Sequence, residues 1–256
     1  MYAQEIQDLY DKEGKGPLSE GGVYVLSYQP LQALNSEKDE SDLLEAIQAA
    51  PDSTSGTKLQ YDFIKHAILS ATEASANIVQ IHSQRYTAPG PRAPGKFVST
   101  VAQLSYPFSR GTVHIGSSDP TIHPKIDFNY LSHPLDAEIL ARHTLQIETI
   151  LLRSPLSQHI KPNGTRLPAD FPQPQTIEVA KEVIRKYAAT NYHPCGTCAM
   201  MKRELGGVVD EDLRVYGVKG LRVCDASVFP LIPRGNILTT VYAVAEKAAD
   251  IVLAAL

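Results

Sequence analysis

The stretch Asn191-Tyr192-His193-Pro194-Cys195-Gly196-Thr197-Cys198-Ala199-Met200 constrains this chain more than any other. Its proline and glycine break helix and strand alike, so the segment must be built from turns. Further on come Cys224-Asp225-Ala226-Ser227-Val228-Phe229-Pro230 and Pro233-Arg234-Gly235-Asn236, and then a closing helix. Read as one unit, this last quarter brings one imidazole and one carboxamide beside backbone turns suited to an anion or a ring. No other part of the sequence offers a comparable set.

The totals exclude several classes. The 256 residues, 43% of them hydrophobic, suffice for one large domain or two small ones with a sizeable core. The net charge of -4 is modest and the lysines and arginines do not cluster, so nucleic acid and an anionic membrane surface are not expected partners. No apolar run approaches the ~20 residues of a spanning helix. Residues 1–15 are polar and acidic, without the order of a signal peptide. Three cysteines cannot make a dense disulfide framework, and the sequon Asn163-Gly164-Thr165 matters only in a secreted chain. The compartment stays open.

The pattern along the chain is α+β: an antiparallel sheet flanked by helices, then a C-terminal strand–helix segment of different character. Residues 23–28 read as a strand, and 41–50 as a short helix with Ser41 as N-cap and Pro51 past its end. Residues 59–76 have helical spacing; 77–86 either continue that helix or turn into a strand. Residues 87–96 form a Pro- and Gly-rich loop. Residues 97–106 and 112–116 read as strands joined by Pro107-Phe108-Ser109-Arg110-Gly111. Residues 136–153 and 175–190 read as amphipathic helices, 221–224 as a short buried strand and 239–256 as a final helix. There are no repeats, low-complexity tracts or charge blocks.

Each candidate site residue also has a plain structural reading. Taken alone, His193 is more often structural than catalytic. Asn236 suits a helix N-cap, and Asp225 a turn cap. Cys195-Gly196-Thr197-Cys198 lacks the βαβ context of a dithiol redox site. Pro194-Cys195-x-x-Cys198 is half of a zinc deaminase signature, but no histidine has Glu two places on. Zinc held by Cys195, Cys198, Cys224 and His193 rests on count alone; small packing side chains are the default for these cysteines. His114, His123, His133 and His143 have no metal-ligand spacing. Ser109 lacks a hydrolase elbow, and Arg110 suits an ion pair or a set of carbonyls.

The block from Pro107 to Ile115, with Ser118-Asp119-Pro120, Asp127-Phe128-Asn129-Tyr130 and His133-Pro134-Leu135-Asp136, resembles the substrate-binding domain of the glucose–methanol–choline (GMC) flavin oxidoreductases. Asn191 to Met200, Asp225-Ala226-Ser227 and Gly235-Asn236 resemble that family's catalytic segment, and Lys15-Gly16-Pro17-Leu18-Ser19 its middle. The resemblance implies a substrate-binding-like domain over 1–190 and, over 191–256, a segment that belongs to the FAD-binding domain. It implies oxidation of a small-molecule alcohol by hydride transfer to FAD. His193 would be the base, its ordinary pKa of about 6.5 lying near working pH. Asn236 would orient the substrate oxygen. Tyr192 would flank the flavin ring, Asp225 and Ala226 would meet its ribityl and phosphate region, and Asn236 and Ile237 would lead into a helix whose positive end favours an anionic reduced flavin.

One feature of the family is missing. The Gly-x-Gly-x-x-Gly turn that lets backbone approach the FAD pyrophosphate does not occur, and Gly14-Lys15-Gly16 has no third glycine. The expectation is a fragment, one half of a split enzyme with a separate FAD-binding half, or a truncated relative. Alternatives are a cofactor-free module for a small molecule with His193 in acid–base work, or an inactive piece. In the last case Val228, Phe229, Leu231 and Ile232 are expected to lie exposed.

Overall fold

The computed structural model describes residues 2–19, 22, 23, 25–34, 43, 45–49, 55–85 and 93–255. The elements run α1 (Tyr2–Glu13), β1 (Val25–Gln29), α2 (Ser55–Leu69), β2 (Ala76–Ile81), β3 (Ser99–Leu104), β4 (Thr112–His114), β5 (Lys125–Asp127), α3 (Pro134–Leu151), α4 (Ile177–Tyr187) and α5 (Leu238–Leu253). Residues 43 and 45–48 are helical; the ends expected at 41 and 50 lie outside the described residues, as do 87–92 of the expected loop.

β1, β2 and β3 form an antiparallel sheet in that order. The segment that periodicity left open is therefore a strand. β2 is the central one, and its backbone is claimed on both edges, with Asn77 opposite Tyr28 on one side and Gln103 on the other. β4 and β5 form their own two-stranded ladder. The 107–111 link thus passes from one sheet to another. Gly111 is required there, because a Cβ would stand 2.3 Å from the Asp127 carbonyl oxygen.

α3 starts at Pro134, two residues before the expected 136. His133 is its N-cap, Nδ1 accepting from Leu135 N at 3.3 Å, and Pro134 follows at the first turn. Asp136, 1% exposed, turns back and accepts from Phe108 N (2.7 Å) and Ser109 N (2.8 Å). That carboxylate ties the link after β3 to the helix. α4 is capped by Thr176 Oγ1, which accepts from Val179 N at 3.3 Å. Its Ala180 and Ile184 pack against Ala141 of α3.

Two cores organise the rest. The first joins α2 and α3 through Ile64, Ile68, Phe108 and Ile139, and Leu231 from the last quarter packs partly into it. The second lies within the last quarter, around Val209, Leu213, Val228, Phe229 and Ile237.

Three expectations fail here. The helix read over 59–76 ends at Leu69, and Ala76 already opens β2. Residues 221–224 are not a buried strand: only Arg222 makes a bridge, to Arg214, and Leu221 is 48% exposed. Gly217 and Gly220, both at positive φ, turn the chain just before this segment, which then pairs only briefly with 213–215, Val215 N donating to Leu221 O at 3.0 Å and Val223 N to Leu213 O at 3.1 Å. Val228 and Phe229 are not exposed but 2% and 6% accessible, with Leu231 and Ile232 half-buried. Met200 N donates to Val228 O at 2.8 Å and folds the 198–200 turn over them. No described helix is long and apolar enough to cross a membrane.

Candidate active site

His193 and Asn236 come from separate turns and meet. His193 Nε2 lies 3.4 Å from Asn236 Oδ1, and Asn191 Nδ2 donates to the same oxygen at 3.2 Å. The Asn191 donor fixes the Asn236 amide, so its Nδ2 is left to donate elsewhere. Oδ1 in turn favours the imidazole once Nε2 carries a proton. His193 is half-buried and Asn236 exposed.

Local chain geometry explains the meeting. Tyr192 adopts φ 61°, which swings the chain into Pro194, and its ring is 77% exposed. Gly196, at φ 90°, makes the next turn. Cys198 N donates to Ser227 O at 2.9 Å, stitching the His193 turn to the segment that leads to Asn236.

Asn236 does not cap the final helix. Ile237 is the N-cap of α5 and makes no side-chain cap bond, so among the described residues the N–H groups of its first turn have no side-chain acceptor. Ile237 itself is 6% exposed, and its side chain sits in the second core. Asp225 does cap: its Oδ1 accepts from Ser227 N at 2.8 Å and starts the turn Ala226–Val228. Ala226 packs partly on the second core. Leu238 and Tyr242, 63% and 65% exposed, extend an apolar surface from Asn236 along α5.

The cysteines are free, and Cys195 packs on the second core. Burial pushes its thiol pKa up, with Arg110 opposing, the reverse of what a reactive thiolate needs. Among the described residues no three His, Cys, Asp or Glu side chains gather as for a metal. Arg110 Nη1 donates to the carbonyls of Pro107 (2.7 Å), Ser109 (3.0 Å) and Phe108 (3.3 Å). Burial lowers its pKa.

The sequence reasoning missed three participants. Asn191, two places before His193, carried that spacing as its only signal. Tyr28 of β1 gave none: a Cβ on Gly235 would stand 2.5 Å from Tyr28 Oη, and Arg234 Cζ lies 5.8 Å from the Tyr28 ring centroid. Glu73 pairs with Arg234.

An imidazole and an amide presented together beside an uncapped helix start have the make-up of an acid–base site for a small molecule. The comparisons with known proteins give it a family. A family model described as GMC oxidoreductase matches residues 107–245. Dehydrogenase mpl7 of Monascus purpureus is 33% identical over 97% of the chain, which spans 42% of that relative. An FAD-dependent oxidoreductase from Chaetomium thermophilum superposes with a TM-score of 0.79 at 26% identity, over 98% of this chain and 42% of that one. A fungal aryl-alcohol oxidase gives 0.72 at 26%, over 97% and 41%. The chain belongs to the GMC oxidoreductase family.

Proposed function

We propose that this chain is the substrate-binding and proton-accepting part of an FAD-dependent alcohol oxidoreductase, with a substrate-binding domain over 1–190 and a segment of the FAD-binding domain over 191–256. The observation that carries the reading is the His193–Asn236 contact, 3.4 Å from ring nitrogen to amide oxygen, within the residues the family model matches.

FAD, when bound, supplies the acceptor for the hydride that leaves the alcohol carbon. The chain's residues fit it. Among the described residues the first turn of α5 has no side-chain acceptor, and it offers partial positive charge to an anion. Tyr192 and Tyr242, both largely exposed, offer apolar faces. Tyr192 would lie against the ring, the backbone of Asp225 and Ala226 would meet the ribityl and phosphate region, and Asn236 and Ile237 would meet the ring through the helix start.

His193 takes the hydroxyl proton at Nε2. Asn236 Oδ1 stabilises the protonated ring, and Asn236 Nδ2 holds the substrate oxygen. Asn191 keeps that amide from turning over. Aryl-alcohol oxidase among the structural relatives supports an alcohol as substrate.

The test joins the chain to the flavin-binding half of a family member and measures bound flavin at ~450 nm and alcohol turnover. His193→Ala should retain flavin and lose turnover. A variant as active as the parent overturns the role given to His193.

A further inference from the structure

Phe229 and Ile237 both lie in the second core. Between them the chain makes an excursion, and Asn236 is its last residue. Among the described residues, none of 230–236 makes a backbone–backbone hydrogen bond. No ladder or helix sets the path of this strap, so side-chain contacts do. Most of them come from the helix-and-sheet region. Gln60 Nε2 of α2 donates to Pro230 O at 2.9 Å. Leu231 packs partly into the first core, and Ile232 partly into the second. Arg234 Nη1 donates to Glu73 Oε2, a few residues beyond α2, and its Cζ lies 5.8 Å from the centroid of the Tyr28 ring in β1. Gly235, at φ 81°, then turns the chain into Asn236.

His193 is supported differently. Its turn is tied within the last quarter, through Cys198 N donating to Ser227 O at 2.9 Å and Cys195 packing on the second core. The two members of the pair therefore rest on different parts of the molecule, and the 3.4 Å between them depends on where the strap is held. Arg234 is the last side chain anchored before Asn236. Its guanidinium meets a carboxylate and a ring together, which leaves it little freedom. The ion pair is half-exposed, so it adds little to stability. Its effect is on position.

We propose that Arg234 is a positioning residue for the reaction: pinned by Glu73 and the Tyr28 ring, it sets where Asn236 stands relative to His193. The proposal rests on the alcohol oxidoreductase reading above. Arg234 acts through Asn236 and does not itself meet the alcohol. The helix-and-sheet region thereby holds one half of the His193–Asn236 pair, and the last quarter holds the other.

The test uses the chain joined to a family flavin half and loaded with FAD. Arg234→Met keeps the apolar stem and removes the charge. Its kcat should fall roughly tenfold, because small displacements at a reacting centre are costly. KM should stay within about twofold of the parent's and the melting temperature should not change. Arg234→Lys, which can still meet Glu73, should recover most of the lost kcat. Glu73→Gln should lower kcat too, and combined with Arg234→Met it should lose no more than Arg234→Met alone. An unchanged kcat in Arg234→Met overturns the proposal, as does a loss confined to KM or a lysine variant no better than methionine. If Arg234→Met lowers the melting temperature, Glu73→Gln decides by the same kcat criterion.

If the joined parent turns over no alcohol, the functional reading fails, and nuclear magnetic resonance of the chain itself decides this proposal. Cross-relaxation between the Asn236 amide protons and the His193 ring protons should weaken in Arg234→Met and return in Arg234→Lys. A signal that both variants leave unchanged, or that the parent lacks, sinks it.

Discussion

His143 and His193 are one side chain in two surroundings. His143 is fully buried in α3, its Nε2 2.7 Å from Ser75 Oγ, and burial pushes its pKa down to about 4. It is locked neutral where nothing can reach it. His193 sits half-buried at a turn, beside an amide that is itself held by a neighbour. In α3, His143 and Asp136 are hidden where they hold neighbouring chain, whereas His193 and Asn236 in the last quarter stay open to solvent. The two residues are of one type and differ in access.

The sharpest way to break that contrast is to remove each imidazole in turn. His193→Ala in the flavin-loaded protein should lower kcat by roughly 10²–10⁴, the usual contribution of a positioned base, while leaving the melting temperature close to the parent's. If turnover survives or the fold is lost instead, the two histidines are not opposites.

Acid should find His143 first. Its folded pKa of about 4 lies below the unfolded value of about 6.5. Between those two values the unfolded chain binds the proton and the folded chain does not. Stability is therefore full above pH ~6.5 and falls as pH drops toward ~4, by about 3 kcal/mol over the window. Urea unfolding at stepped pH measures the slope, and His143→Gln should flatten it. An unchanged slope removes His143 as the cause.

A smaller effect is expected at Asp136. Replacing it with Asn takes the charge from two buried backbone N–H bonds and should cost about 2 kcal/mol by chemical denaturation. Smallest is Thr176→Ala, which removes the α4 cap at an exposed end and should cost about 1 kcal/mol. If Thr176 matters more than Asp136, burial is not what weights these contacts.

Much of the fold was legible. The helices read over 136–153 and 175–190 stand at Pro134–Leu151 and Ile177–Tyr187, and Pro and Gly marked the loops, because apolar periodicity and breakers act through bonds a few residues away. The 77–86 segment was not legible, since a short apolar run satisfies helix and buried strand equally; pairing with β1 and β3 decided it. Residues 221–224 misled because a short apolar run does not record its own burial: the segment pairs only briefly with 213–215, and Leu221 is left 48% exposed. At the site, the His193 and Asn236 motifs stood out as residue types in a recognisable order. Tyr28 did not, because nothing in a strand's own pattern records which loop will lie against it.

By itself, then, the sequence determined many of the local elements, the family and the chemistry available: the imidazole of His193, the carboxamide of Asn236 and the turns that carry them. Only the tertiary structure decided that Asn236 faces His193 rather than capping α5, that Val228 and Phe229 are core, and that Tyr28 packs against Gly235. Those outcomes depend on contacts between residues far apart in the chain, where burial and orientation are set by the whole fold.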